Sequence, residues 1–129
     1  MKLLLDTHVL LWAASDPSQL SSEAREVLED GANEADASVV SAWEIAIKQS
    51  LGKLTLARPA EIWVPDAIKR MTLGVAIVDL GAALRVRSLP WHHRDPFDRL
   101  LAAQALDAGY TLVTRNEIFI EYGVAVVRA

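Results

Sequence analysis

Short apolar runs alternate along the chain with longer stretches in which apolar positions recur every three or four residues. Leu3 to Leu5 is an unbroken apolar run halted by Asp6, which predicts a strand buried on both faces. Val9 to Ala14 reads as a helix, and Asp16-Pro17-Ser18 breaks it. From Ser21 to Asp30, Ala24, Val27 and Leu28 share one face while Glu23, Arg25, Glu26 and Glu29 lie elsewhere, so an amphipathic helix ended by Gly31 is predicted. Ala37 to Val40 predicts a second strand. Ser41 then stands where it can cap a helix that carries Glu44 in its first turn and stops at Gly52.

A further helix starts near Pro59. Pro65 removes a backbone donor from its interior, so a kink or two short pieces are expected between Ala60 and Met71. Val75 to Val78 predicts a third strand and Ala82 to Ser88 a short helix. Pro96 opens the best-marked helix, which runs through Phe97, Leu100, Leu101, Ala103 and Ala105 to Gly109. Leu112-Val113 predicts a fourth strand ending at Thr114, Glu117 to Tyr122 a short helix, and Val124 to Val127 a last strand. This alternation predicts an α/β fold, a three-layer α/β/α sandwich around a mostly parallel five-stranded sheet. In open sheets of this kind ligand sites form beyond the carboxyl ends of the strands, which places Asp6, the Ser41 to Glu44 turn and Thr114 to Asn116 on one rim.

The 129 residues contain no repeat and no linker, so one domain over 1–129 is expected. Absence of cysteine excludes a disulfide framework, a thiolate metal site and a cysteine nucleophile. With 13 Lys+Arg against 17 Asp+Glu the formal charge is -4, unlike a protein that coats nucleic acid by bulk electrostatics. Carboxylates gathered around a cation count as negative in that sum, so a metal-dependent nuclease stays open. The apolar start is interrupted by Asp6 and His8 before any cleavage-site pattern, and no stretch approaches the roughly 20 apolar residues of a membrane span. A soluble, cytoplasmic protein is expected.

Asp6 follows a strand, Glu44 comes soon after another, and Asp95 and Asp98 lie i,i+3 at a helix start. Strand ends sharing a rim bring such carboxylates together. Two like charges about 4 Å apart cost on the order of 4 kcal/mol at an effective dielectric near 20, and a divalent cation offsets that repulsion. Oxygen-only ligands suit Mg²⁺ or Mn²⁺, ions that orient water for attack on a phosphodiester. Each acid also has a plainer reading: Asp6 and Asp95 as helix caps, Glu44 as a first-turn partner of the helix dipole, Asp98 as an ion-pair partner of Arg94 or Arg99.

Arg85, Arg87, Arg94 and Arg99, with His92 and His93, make a local basic stretch in which arginines could grip phosphates and Trp91 could stack on a base. Surface ion pairs and an anchoring Trp91 are the alternative. Adjacent histidines do not suit zinc. His8 is expected to hydrogen-bond structurally, and Trp12, Trp43 and Trp63 to lie in the core. The apolar stretches Leu51 to Leu56 and Ile62 to Val64 fit a partner groove or ordinary core equally well.

Leu4-Leu5-Asp6-Thr7-His8, Ser41-Ala42-Trp43-Glu44-Ile45, His93-Arg94-Asp95-Pro96-Phe97-Asp98-Arg99 with Ala102-Ala103-Gln104-Ala105, and Leu112-Val113-Thr114-Arg115 follow one another in the order seen in PIN-domain proteins. Nearly end to end the sequence resembles the VapC toxins of VapBC toxin–antitoxin pairs. The resemblance implies a Mg²⁺- or Mn²⁺-dependent endoribonuclease leaving 5′-phosphate and 3′-hydroxyl ends, with Asp6, Glu44 and Asp98 as metal-binding acids and Asp95 assisting. Thr114 matches the family threonine, but Asn116 stands where a fourth aspartate is usual. An amide brings no charge, so one metal is expected to bind firmly and a second less well, with Asn116 orienting water or Thr114 and Glu117 as a substitute ligand. A cognate VapB-type antitoxin lying across the acidic site, and homodimers or hetero-oligomers with it, are also implied. The alternative that Asn116 raises is a PIN-like module that binds RNA or protein without cutting. A flavodoxin-like or nucleotide-binding domain finds no Gly-rich phosphate loop.

Overall fold

Five short strands build one sheet in the computed structural model, which describes residues 1–129. They are β1 (Lys2–Leu5), β2 (Glu34–Ser38), β3 (Gly74–Ala76), β4 (Thr111–Thr114) and β5 (Ala125–Arg128), in the order β3-β2-β1-β4-β5 with every pairing parallel. Parallel pairing demands crossovers, and seven helices supply them or extend them: α1 (Thr7–Ser15), α2 (Ser22–Glu29), α3 (Val39–Ser50), α4 (Ala60–Arg70), α5 (Leu80–Arg85), α6 (Pro96–Ala108) and α7 (Ile118–Glu121).

The central strand shows why the three leucines sit together. Leu3, Leu4 and Leu5 are all fully buried, and burying each stabilises the fold by about 2 kcal/mol. Leu3 and Leu5 point into one core with Val9, Leu10, Ala24, Ile45, Trp63 and Val64. Leu4 points into the other with Leu101, Ala102, Leu112, Phe119 and Tyr122. The expected α/β/α sandwich is therefore present, with β1 at its middle. From β1 the chain moves outward through β2 and β3 on one side, while β4 and β5 lie on the other. The strand order reverses direction between β1 and β4, and ligands of open α/β sheets bind beyond the carboxyl ends of the strands at such a point.

Four local expectations are corrected. The second strand runs over Glu34–Ser38, not Ala37 to Val40, and Ser38 rather than Ser41 caps α3: its Oγ accepts from the Val40 amide at 3.0 Å. Glu44 consequently falls in the second turn, on a buried stripe with Ser41 and Ile45. Residues 60–70 form one helix despite Pro65. The proline sits at mid-helix but faces solvent, so a single backbone bond is lost, while Trp63, Val64 and Ala67 bury on the other face. Trp43 is 51% exposed, resting edge-on against Phe97 with ring centroids 5.1 Å apart, whereas Trp63 is core and Trp12 partly so. Of the two apolar stretches, Leu54, Leu56, Trp63 and Val64 pack into or against the first core, and Leu51 and Ile62 face outward.

Gly109 adopts φ 72°, a left-handed conformation open to glycine, and this stops α6 at Ala108, leaving two residues before β4 begins. No helix is long and apolar enough to cross a membrane.

Candidate active site

The carboxyl end of β1 delivers Asp6, and the end of β4 delivers Thr114. Asp6 is held in the sheet direction by its amide, which donates to the Val113 carbonyl at 3.0 Å. Its side chain makes no capping bond to α1; Oδ2 instead accepts from the Thr114 hydroxyl at 2.6 Å. Thr114 Oγ1 in turn accepts from the Asn116 amide at 3.0 Å. Asn116 thus orients Thr114 through its backbone. Its side chain is turned away, with Oδ1 accepting from the Ile118 amide at 3.1 Å to start α7. Glu117 is exposed and ion-paired with Arg128, so it is engaged elsewhere than at the rim.

Glu44 is buried more deeply still than Asp6. Thr7 Oγ1 lies 2.6 Å from Glu44 Oε1 and 2.9 Å from Ser41 Oγ. A carboxylate only accepts, so the single Thr7 proton goes to Glu44 and Ser41 supplies the proton of the other contact. Lys48, one turn further along α3, donates from Nζ to Glu44 Oε2 at 2.5 Å. That contact holds the Lys48 ammonium above its ordinary value, and Asp95 and Asp98 add to the rise.

Asp95 is the N-cap of α6. Its Oδ1 accepts from the Phe97 and Asp98 amides at 2.9 and 3.2 Å, as the plainer reading of that residue expected. Asp98 pairs with neither Arg94 nor Arg99. Its Oδ2 lies 3.2 Å from His93 Nε2, while His93 Nδ1 lies 2.7 Å from the Tyr122 hydroxyl. That hydroxyl also accepts from the His93 amide and from the Arg99 guanidinium, so its own proton goes to Nδ1. In neutral His93 the remaining proton is on Nε2, aimed at Asp98.

Arg99 requires a correction. It is 2% exposed, with its two terminal nitrogens donating to the carbonyls of Pro90, Val86 and Leu89, and Trp91 covers its guanidinium at 3.8 Å. It ties the loop before α6 to the helix and is not on an RNA-facing rim. Trp91 is held through that stack, and Arg94 remains exposed. His8 is exposed and makes no hydrogen bond, contrary to its expected structural role.

The acids disturb one another. Burial pushes the Asp6 carboxyl above the usual carboxylate range and Glu44 adds to the rise, while the Thr114 bond and His8 oppose it. Burial, then Asp95, then Asp6 push Asp98 up to about 6. As they stand, no three of the acidic or imidazole side chains close on a single point. Glu44 already has a cation in Lys48, whereas Asp6 and Asp98 have hydroxyl and imidazole donors but no lysine or arginine. Carboxylates with hard oxygen donors, Asp98 disturbed by Asp6 and Asp6 by Glu44, are of the kind that suits a divalent cation, which Asp6, Asp98 and Glu44 could hold if their side chains drew together.

Thr7, Lys48, His93 and Tyr122 had no assigned place in this network. Lys48 was signalled by its i,i+4 spacing from Glu44 and His93 by standing five residues before Asp98; the burial that makes both matter is a property of the fold.

The PIN-domain family model matches residues 3–125. The chain belongs to the PIN-domain family. Within this family it is of the VapC type: it is 32% identical over 114 residues to Ribonuclease VapC22 of Mycobacterium tuberculosis, covering 88% of this chain and 86% of that protein. Solved structures show the same PIN fold. VapBC2 from Rickettsia felis, bound to a DNA fragment from its promoter, matches with a TM-score of 0.74 at 17% identity over 99% of this chain and 98% of the other. DNA-bound VapBC from Salmonella typhimurium matches with a TM-score of 0.70 at 19% identity over the same shares.

Proposed function

We propose that this PIN-domain chain is a divalent-metal-dependent endoribonuclease toxin, with Asp6, Glu44 and Asp98 holding Mg²⁺ or Mn²⁺. The observation that carries the reading is that buried Asp6, 92 residues earlier in the chain, helps push the half-buried Asp98 carboxyl up, while neither acid has a lysine or arginine ion pair of its own. The similarity to a VapC ribonuclease over most of both chains supports the substrate class.

The bound cation supplies charge neutralisation and Lewis-acid polarisation of a phosphodiester oxygen. The chain supplies the orientation. Thr114 fixes Asp6, Thr7 fixes Glu44, and Tyr122 through His93 fixes Asp98, so each carboxylate is aimed by a hydrogen bond from a neighbouring element. Asp95 anchors the first turn of α6, from which Asp98 projects. In the net reaction a water oxygen bonds to phosphorus, the bond from phosphorus to the 3′ oxygen breaks, and a proton ends on that oxygen. The products are a 5′-phosphate and a 3′-hydroxyl.

By likeness to the VapBC complexes, an antitoxin chain covers the acidic rim and blocks it, in a cytoplasmic complex of the two proteins. The test is incubation of the purified chain with a pool of structured RNAs in Mg²⁺ and in EDTA, followed by sequencing of the 5′ ends. Discrete Mg²⁺-dependent cuts with 5′-phosphates support the nuclease; RNA binding without cuts in either buffer supports the non-cutting module instead.

A further inference from the structure

A cavity of about 300 Å³ opens beside the acidic rim, and its walls include Thr7, His8, Glu44, Lys48, Lys53 and Leu54. Three of these residues, Thr7, Glu44 and Lys48, belong to the carboxylate network already described. Lys48 and Lys53 give this wall positive charge beside the acids. Lys48 balances Glu44, while Lys53 is exposed and has no ion pair and His8 is exposed and has no hydrogen-bond partner. The Lys53 side chain has no ion-pair or hydrogen-bond partner where it stands, and His8 only leans its ring on Trp12, with centroids 5.6 Å apart. Lysines would also weaken the hold of a nearby metal ion, so a metal does not explain them.

An anion does. A polyanionic strand drawn toward Asp6, Asp95 and Asp98, on a chain whose formal charge is -4, meets repulsion unless cations flank the site. Lys53 offers three N–H donors, a neutral His8 offers one, and Thr7 carries a hydroxyl. The volume equals that of about ten liquid waters, enough for a phosphate and part of its ribose against Leu54. We propose that this cavity is a phosphate subsite in which Lys53 and His8, with Lys48 behind them, hold the phosphodiester adjoining the one that is cut. This rests on the nuclease reading and deepens it, because two phosphates gripped at once fix which linkage lies over the carboxylates.

The experiment uses the full chain and a defined RNA oligonucleotide whose cut position has been mapped, in Mg²⁺, across a range of NaCl concentrations. Lys53→Ala and His8→Ala are compared with Lys53→Arg and with Lys69→Ala, an exposed lysine of α4 outside the cavity. Lys48 is left in place because changing it would also release Glu44. We expect KM to rise about three- to ten-fold in Lys53→Ala, outweighing any fall in kcat, and the salt slope of log KM to drop by about 0.7. Lys53→Arg should restore both, and Lys69→Ala should behave as wild type. A neutral methylphosphonate placed one linkage from the cut should raise KM for wild type at one of the two flanking positions and add nothing further in Lys53→Ala. Wild-type cleavage with KM, salt slope and methylphosphonate effect unchanged by Lys53→Ala and His8→Ala overturns the subsite alone. A wild-type chain that cuts no RNA overturns the nuclease reading and the subsite together.

Discussion

The Thr114 hydroxyl donates to Asp6 Oδ2 at 2.6 Å, joining the ends of β4 and β1, which lie 108 residues apart in the chain. The bond sits where the strand order reverses, and both partners are buried. Because it stabilises the ionised carboxylate, it opposes the upward push of burial on Asp6. Thr114→Val keeps the shape and removes the donor. We expect a loss of about 1.5–3 kcal/mol in urea unfolding at pH 7 and an acid limb of the pH–rate profile moved to higher pH. Thr114→Ser should restore both.

Asp98 contributes to stability in the sense opposite to a salt-bridged aspartate. Its carboxyl stands near 6 in the folded chain against 3.8 ordinarily, so the folded state binds the proton more tightly and stability falls as pH rises through the window from about 4 to 6. At pH 7 the ionised group costs on the order of 3 kcal/mol in the metal-free protein. Asp98→Asn should therefore raise metal-free stability at pH 7 by about 1–3 kcal/mol and abolish RNA cleavage, with the stability gain vanishing near pH 4. Denaturant unfolding at the two pH values measures it.

The same coupling makes protons and metal compete. Mn²⁺ calorimetry should give one firm site per chain, with affinity falling about ten-fold per pH unit below 6 as one proton is displaced per ion. Two equally tight sites would contradict the local role seen for Asn116, whose side chain is occupied with Ile118.

Arg99 is a structural cation. Its guanidinium meets three carbonyls and the Tyr122 hydroxyl and is roofed by Trp91. Arg99→Lys keeps the charge but cannot reproduce that fork, so we expect a loss of about 3 kcal/mol or more in thermal or urea unfolding. Were Arg99 instead a phosphate contact, the substitution would weaken RNA binding and leave unfolding unchanged.

Much of the fold was legible because Leu3 to Leu5, Leu112-Val113 and the Pro96 to Gly109 helix carry strong and mutually consistent signals. The boundary at Ser38 was not. Val39 and Val40 have strand propensity, and only the Ser38 bond to the Val40 amide shows that the helix has already begun. The carboxylates were legible from their positions after strands and at a helix start. Arg99 was misplaced because an arginine next to an aspartate reads as surface, and nothing local reports that the loop before α6 folds its carbonyls around the side chain. Lys48 and His93 matter because the fold buries Glu44 and brings Tyr122 to His93, which a linear pattern does not record.

Single-turnover cleavage of one RNA in Mg²⁺ by the wild-type chain and by Asp6→Asn, Glu44→Gln and Asp98→Asn tests the shared role of the three acids most directly. We expect each folded variant to cut about a thousand-fold or more slowly than wild type, whose activity EDTA removes. Mg²⁺-dependent cleavage within about ten-fold of wild type in Asp6→Asn or Asp98→Asn would place the chemistry elsewhere on the molecule.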